Sequence, residues 1–301
     1  MPMEIPETLQ EVELDFLCHS TMIEAQSINH WQAMPDLVSP HVHDPFSSSL
    51  RVLSYALLSM TLRAQVDKIL FWLSDGTTPH WPHLRILSIM FYQVSPSGAW
   101  YFEGPRGEGR NSTGYQVNAL SYPPLETTED DECSECQDVE NDRSFENHGG
   151  FFFRIVPNDN VMGPFLTGLA KAALHMPKLE FAVLWSLMKW DVERDSEKGQ
   201  EFDYYDPPTR FDCNHATWGL AYGAVGTRFA LSTNPGERYC DTRQIWWQVG
   251  DWRPSAELHD LFRQIGGHKD SEATREHWMS DQVGDGLLLA DAFSTYTPES
   301  R

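Results

Sequence analysis

Three stretches of the chain align on one short pattern, and that pattern limits the fold more than any other feature. They are Ser49-Leu50-Arg51-Val52-Leu53, Pro82-His83-Leu84-Arg85-Ile86-Leu87-Ser88-Ile89 and Pro177-Lys178-Leu179-Glu180-Phe181-Ala182-Val183-Leu184. Each runs from a proline or serine through a leucine into a short apolar run. Proline is tolerated at a strand's start, where no ladder donor is needed. A brief apolar run bounded by turns reads as a buried strand. Trp81 and Met176 precede the last two stretches. A further tetrad, Met34-Pro35-Asp36-Leu37, has no strand pattern after it.

A helix precedes the third stretch. In NVMGPFLTGLAKAALHM, from Asn160, Phe165, Leu169, Ala172 and Ala173 recur at helical spacing. Asp159 or Asn160 is placed to cap, Pro164 to sit in the first turn and His175 to close the last. Helix, short turn and Pro-x-Leu strand form the unit of a leucine-rich repeat. One such unit cannot bury its own face, so neighbours must stack on it. A second unit is predicted between Leu57 and Trp72, where VDKILFWL fits helix and strand alike. The unequal spacing of Leu50, Leu84 and Leu179 makes any solenoid irregular.

The last third reads differently. Thr217–Gly223 and Gln244–Val249 are predicted strands, with NPGERYCDTR, Asn234 to Arg243, as a turn between them. After Pro254, SAELHDLFRQI places Leu258, Leu261, Phe262 and Ile265 on one helical face and stops at Gly266-Gly267. The expected architecture is α/β: an irregular leucine-rich-repeat-like solenoid with a C-terminal capping strand and helix region. It forms one domain over residues 1–290, with a tail at 291–301. Residues 126–148 are an expected disordered insertion, because ETTEDDECSECQDVENDRSFE carries one basic residue, Arg143, and little apolar area.

The 301 residues carry a formal charge of −22. That balance opposes duplex nucleic acid and anionic membrane surfaces, and no run is long and apolar enough to span a bilayer. The first seventeen residues have neither the basic start of a secretory signal nor the arginines of a mitochondrial one. The expected location is cytoplasmic or nuclear. Five cysteines are too few and too scattered for a disulfide framework. Asn111-Ser112-Thr113 matches a glycosylation acceptor, which the absence of a signal leaves idle.

The chemistry-bearing motifs are sparse. Gly104, Gly107 and Gly109 in WYFEGPRGEGRNSTGY have neither dinucleotide nor P-loop spacing, and Glu103 and Glu108 would repel phosphate. The stretch reads as a long turn whose glycines supply positive φ, packed down by Trp100, Tyr101 and Phe102. Arg106 and Arg110 are expected there to pair with the glutamates or with a ligand. Cys133 and Cys136 have half a zinc site's spacing without a second half. His41-Val42-His43-Asp44, bracketed by prolines, reads as a surface loop. So does the acidic stretch around Tyr204-Tyr205 that contains Glu193, Asp195, Glu201, Asp203 and Asp206. No Gly-x-Ser-x-Gly elbow occurs. No cofactor and no metal are expected.

Aromatic residues remain. Trp185 and Trp190 end the third strand, Trp246, Trp247 and Trp252 end the last, and Trp100 follows the second. Large rings of this kind fill cores. Gathered at one end of parallel strands they would instead form a recognition face with Tyr101, Arg106 and Arg110.

WPHLRILSIMFYQVSPSGAWYFEGPRGEG, GYQV and YPPLETTEDDE, with the later PFLTGLAKAALHMPKLEFAVLW and WWQVGDWRPSAELHDLFRQIG, resemble a family of filamentous-fungal proteins of F-box and leucine-rich-repeat type. The match covers roughly residues 50 to 280. The resemblance implies the substrate-recognition part of a ubiquitin-ligase adaptor, a non-catalytic module whose partner is the ligase adaptor or its substrate. Ile5-Pro6-Glu7 repeats only part of an F-box start, and HSTMIEAQSINHWQAM after it lacks helical period. The resemblance therefore lies in the repeat region. Such fungal genes also sit among natural-product genes. The alternative is a cofactor-independent enzyme binding an apolar small molecule in an aromatic pocket, with Tyr101, Glu103, Arg106, Arg110 and Asp191 as candidate catalytic groups.

Overall fold

The computed structural model describes residues 8–17, 28–73, 77–118, 121, 151–192, 215–227, 241–267 and 274–278. Its frame is a seven-stranded, mostly parallel sheet in a mixed α/β arrangement. In spatial order the strands are β1 (Glu11–Asp15), β3 (Ser59–Ala64), β4 (Ile86–Phe91), β8 (Phe181–Lys189), β9 (His215–Gly223), β10 (Gln244–Gln248) and β11 (Arg275–Trp278). The first four run parallel, in chain order. β9 then pairs antiparallel with both β8 and β10, and β11 runs parallel to β10. Two small pairs lie apart: β2 (Pro35–Asp36) with β6 (Tyr115–Gln116), and β5 (Phe102–Glu103) with β7 (Val156–Pro157).

Register aligns the core in rows. Leu62, Ile89, Leu184, Leu220 and Trp247 are successive cross-strand partners, as are Met60, Leu87, Ala182, Tyr222 and Ile245. All ten are buried in one apolar cluster. Helices cover this face: α1 (Pro45–Ser54), a 3-10 turn at Lys68–Leu70, α2 (Asp159–Leu174) and α3 (Ala256–Arg263). On the opposite face Ile86, Met90, Phe181, Val183, Trp185 and Ala221 form a second cluster. Burial on both faces explains why β4 and β8 read as nearly unbroken apolar runs instead of alternating ones.

Two of the three aligned stretches lie side by side as expected, since β4 and β8 are parallel neighbours in register from Ile86↔Phe181. The first does not join them: Leu50 is helical. Asp44 accepts hydrogen bonds from the Phe46 and Ser47 N–H groups, and Pro45 supplies a preset first-turn φ. With the end of the helix fixed in this way, Leu50 reaches the core from α1. The neighbours that continue the parallel run are β3 and β1. Met34–Leu37 contributes only the two-residue β2. In the Leu57–Trp72 stretch the strand is Ser59–Ala64, and VDKILFWL holds the 3-10 turn.

α2 buries Phe165, Leu169, Ala172 and Ala173 as the spacing predicts, and His175 closes it. Its cap is Asn158, one residue ahead of the expected pair, so Pro164 falls inside the helix. The proline withholds a donor from the Asn160 carbonyl, and Asn160 is exposed to water. α3 is capped by Ser255, buries Leu258 and Phe262, and is followed by Gly266 at φ 72°. Among the described residues, no helix is long and apolar enough to cross a membrane. The acidic segment 126–148, the tail and most of Asn234–Arg243 lie outside the described residues.

One polar feature of α1 is costly. Ser47, Arg51 and Ser54 form a buried stripe on the helix. Ser47 Oγ accepts from the Asp67 N–H, and Ser54 Oγ accepts from Trp81 Nε1. Arg51 Nε and Nη1 are buried without an acceptor. Dehydrated guanidinium nitrogens without acceptors destabilise a fold. Arg51→Met keeps the aliphatic stem and is expected to raise the unfolding free energy by about 1 kcal/mol, read by urea denaturation. A loss of stability would show that the charge is compensated.

Candidate functional site

In open α/β sheets ligands collect beyond the carboxyl ends of the parallel strands. Here that region is built from the chain leaving β3 and β4, the 28–31 and 151–155 segments and the glycine-rich turn. Tyr101 Oη donates to the Val66 carbonyl at 2.7 Å, just past β3. Gln65 Nε2 donates to the Ser95 carbonyl, and Gln93 Nε2 to the Leu187 carbonyl of β8.

The glycine-rich turn behaves as its composition predicts. Gly107 and Gly109 adopt φ of 93° and 68°, and Trp100, Tyr101 and Phe102 are buried. Glu103 is also buried, its side chain 5% exposed. It receives Arg110 through two hydrogen bonds, Nε to Oε2 at 2.7 Å and Nη2 to Oε1 at 2.5 Å. Arg110 is itself 52% exposed, so water screens much of this pair. Its backbone carbonyl accepts from Asn158 Nδ2, linking the turn to the start of α2. Glu108 caps the turn by accepting from the Arg106 N–H, and the Arg106 side chain is exposed.

Beneath the turn lies a knot of two residues, His30 and Arg154. His30 Nδ1 accepts from the backbone N–H groups of Phe153 and Arg154, at 2.8 and 2.9 Å. Arg154 is buried and donates from Nε to the His30 carbonyl, from Nη1 to the Phe102 and Gly109 carbonyls, and from Nη2 to Ser112 Oγ. Its guanidinium lies 4.4 Å over the Trp100 ring. Burial lowers its pKa to about 10 against the opposing charge of Glu103, and it stays protonated at neutral pH. Burial, helped by the charges of Arg154 and Lys189, holds His30 neutral by lowering its pKa well below the usual value.

A second polar group sits where α1 meets the 3-10 turn. Asp67 accepts from the Ile69 N–H. Burial raises its pKa to about 6; the Ile69 bond opposes this and the neighbouring Asp44 charge adds to it. Tyr101 is pushed well above its ordinary value by burial and then by these two carboxylates.

The structure scatters the residues proposed for a recognition face. Trp185 belongs to the cluster on the sheet's second face, Trp190 packs with Phe151, Phe153 and Ile155, and Trp100 lies with Met34, Tyr92 and Val94. Trp247 is buried in the main core against Phe262 and Trp278. Trp252 is half-buried against Trp218 and donates to Asp159 Oδ1 at 2.8 Å. Arg106 and Arg110 reach the surface; Tyr101 does not. Of the candidate acid–base groups, Tyr101, Glu103 and Arg110 are each bonded within the scaffold. Asp191 is exposed, its backbone bridging Phe152 and its carboxylate 3.9 Å from Lys189.

His41 and His43 are exposed loop residues, and Asp44 is occupied as a helix cap. Among the described residues, no three His, Cys, Asp or Glu side chains converge as metal ligands would. Cys133, Cys136 and the Glu193–Asp206 stretch lie outside the described residues. Sequence reasoning missed His30 and Arg154. A single histidine and a single arginine, far apart in the chain, carry no motif to find.

No protein-family model matches the chain, and neither a curated protein nor a solved structure is detectably similar to it.

Proposed function

We propose that the chain is a non-catalytic protein-interaction module, with an irregular leucine-rich-repeat-like run in its parallel half, serving as the recognition part of a ubiquitin-ligase adaptor. One observation carries the reading. The buried polar groups at the carboxyl ends of the strands are engaged within the scaffold, while Arg106 and Asp191 are exposed. Tyr101 is tied to a carbonyl, Glu103 to Arg110, and Arg154 to three carbonyls and a hydroxyl. General acid–base catalysis needs a group within reach of a substrate proton, and these are committed to the scaffold. Four successive parallel strands in chain order, β1, β3, β4 and β8, are the arrangement that stacked strand-bearing repeats produce. A recognition role for the surface accords with this, and the charge of −22 favours basic protein partners.

The test is calorimetric titration of the purified chain with a purified ubiquitin-ligase adaptor. Saturable one-to-one binding in the micromolar range or tighter is expected. Absence of heat at two temperatures, with no co-elution on a sizing column, would remove the ligase assignment.

A further inference from the structure

β1 is the outermost strand on one side of the main sheet, paired only with β3 among the described residues. The ladder fixes which of its backbone groups face inward. Phe16 N–H donates to the Arg63 carbonyl, and the Gln10 carbonyl accepts from Leu58 and Ser59. Gln10, Val12, Leu14 and Phe16 therefore bond to β3. Glu11, Glu13 and Asp15 turn their N–H and C=O groups outward, and no partner meets them among the described residues. Open edges of this kind invite an added strand.

The side chains specify what kind of strand. Glu11, Glu13 and Asp15 are all exposed and lie on one face, since alternate residues of a strand share a face. Among the described residues only Asp15 has a cation beside it, Arg63 at 3.2 Å. On the other face Val12 and Leu14 are half-buried and pack against the main core, so this apolar face stops short at the edge. At the strand's carboxyl end the Phe16 ring, 52% exposed, meets the Phe46 ring edge-on at 4.9 Å. Phe46 is 36% exposed.

From this juxtaposition we propose that β1 is a docking edge for an extended, basic segment of a partner protein, which adds to the sheet as an eighth strand. Lysine or arginine at alternate positions pairs across the strands with Glu11 and Glu13. The intervening apolar side chains extend the Val12 and Leu14 face, and an apolar residue covers Phe16 and Phe46. Backbone hydrogen bonds supply the attachment and alternate side chains the selectivity. The site rests on the interaction-module reading and names the chemistry of the module's partner.

The test uses the full chain and a nine-residue peptide alternating lysine with valine. Fluorescence anisotropy at physiological salt reads binding, with a scrambled peptide of identical composition as control. The alternating peptide is expected to bind at least tenfold tighter than the scrambled one. It should also slow amide deuterium exchange at Glu11, Glu13 and Asp15 in the unmodified protein. Glu13→Pro removes an outward donor without touching the β3 ladder and is expected to weaken binding at least tenfold. Glu11→Lys with Glu13→Lys should transfer preference to an alternating glutamate peptide. Equal binding of both lysine peptides would reduce the effect to general charge attraction and overturn the proposal. So would unchanged exchange at the three amides on saturation. If the ligase adaptor still binds in the titration above, only the edge assignment falls.

Discussion

Arg154→Met is expected to lower the unfolding free energy by about 3–5 kcal/mol. The substitution keeps the aliphatic stem but removes the guanidinium from the Trp100 ring and leaves the buried carbonyls of His30 and Phe102 and the part-buried carbonyl of Gly109 without this donor. Each unmatched buried acceptor costs about 1–3 kcal/mol, and the guanidinium ties the glycine-rich turn to His30, far upstream in the chain. Arg154→Lys is expected to fall between, since an ammonium has too little reach to serve all three. Chemical denaturation of the three proteins measures the series. A loss below about 1 kcal/mol for the methionine variant would mean that water replaces the guanidinium. A companion effect comes from the turn above it. Gly109 sits at φ 68°, and a Cβ there would collide with the Arg154 guanidinium. Gly109→Ala should therefore be destabilising through both backbone and contact.

The second large effect is a pH dependence with two opposing parts. His30 is held neutral in the fold, so between its lowered pKa and about 6.5 the unfolded chain binds a proton that the folded chain refuses. Its contribution is complete above about pH 6.5 and is lost on acidification at up to about 1.4 kcal/mol per pH unit. Asp67 works the other way. With its pKa raised to about 6, the folded chain takes up a proton between about pH 6 and 3.8 that the unfolded chain does not, and acidification there favours folding.

The two slopes offset each other below about pH 6. Asp67→Asn retains the cap to Ile69 and removes one slope. The stability difference from the parent protein should therefore move against the variant by up to about 1.4 kcal/mol per unit as the pH falls from 6 to 5. His30→Gln should show the reverse trend, beginning near pH 6.5. Urea midpoints at half-unit intervals, taken as differences between variant and parent, isolate these groups from the many other carboxylates. Parallel profiles for His30→Gln and the parent would show that the folded chain protonates the histidine as readily as the unfolded chain.

The legibility of the sequence varied with the physics of each element. β4 and β8 could be read as short unbroken apolar runs entered from Pro82 and Pro177, β9 and β10 as short apolar and aromatic runs, and α2 and α3 from their helical periods with ends near Asp159-Asn160, Pro254 and Gly266. Leu50 could not be placed by pattern alone. Apolar residues at positions 50, 52 and 53 suit either period, and Asp44-Pro45, six residues upstream, decides the matter. β1 was hidden for another reason. EVELD alternates as an edge strand should, but the same letters register first as charge. The tryptophans illustrate the limit of chain position as a guide. Ends of neighbouring strands are near one another, yet ring direction is set by the pleat, and that sends Trp185 and Trp247 to opposite faces of the sheet. The knot of His30 and Arg154 is a tertiary event with no local signature.

Every neighbouring pair in the main sheet, antiparallel pairs included, is joined by a connection of about twenty residues or more, and β4 ends at Phe91 while its partner β8 begins only at Phe181. Among the described residues no tight hairpin is on hand to seed the sheet. Closing such long connections adds only logarithmically to the entropic cost at equilibrium, but distant pairing slows the search for the native arrangement. During synthesis β4 emerges ninety or so residues before the strand that will shield it. The edge of β4 that β8 will cover therefore stays open through that interval, although β3 is already available on the other side, and refolding from denaturant is expected to be slow.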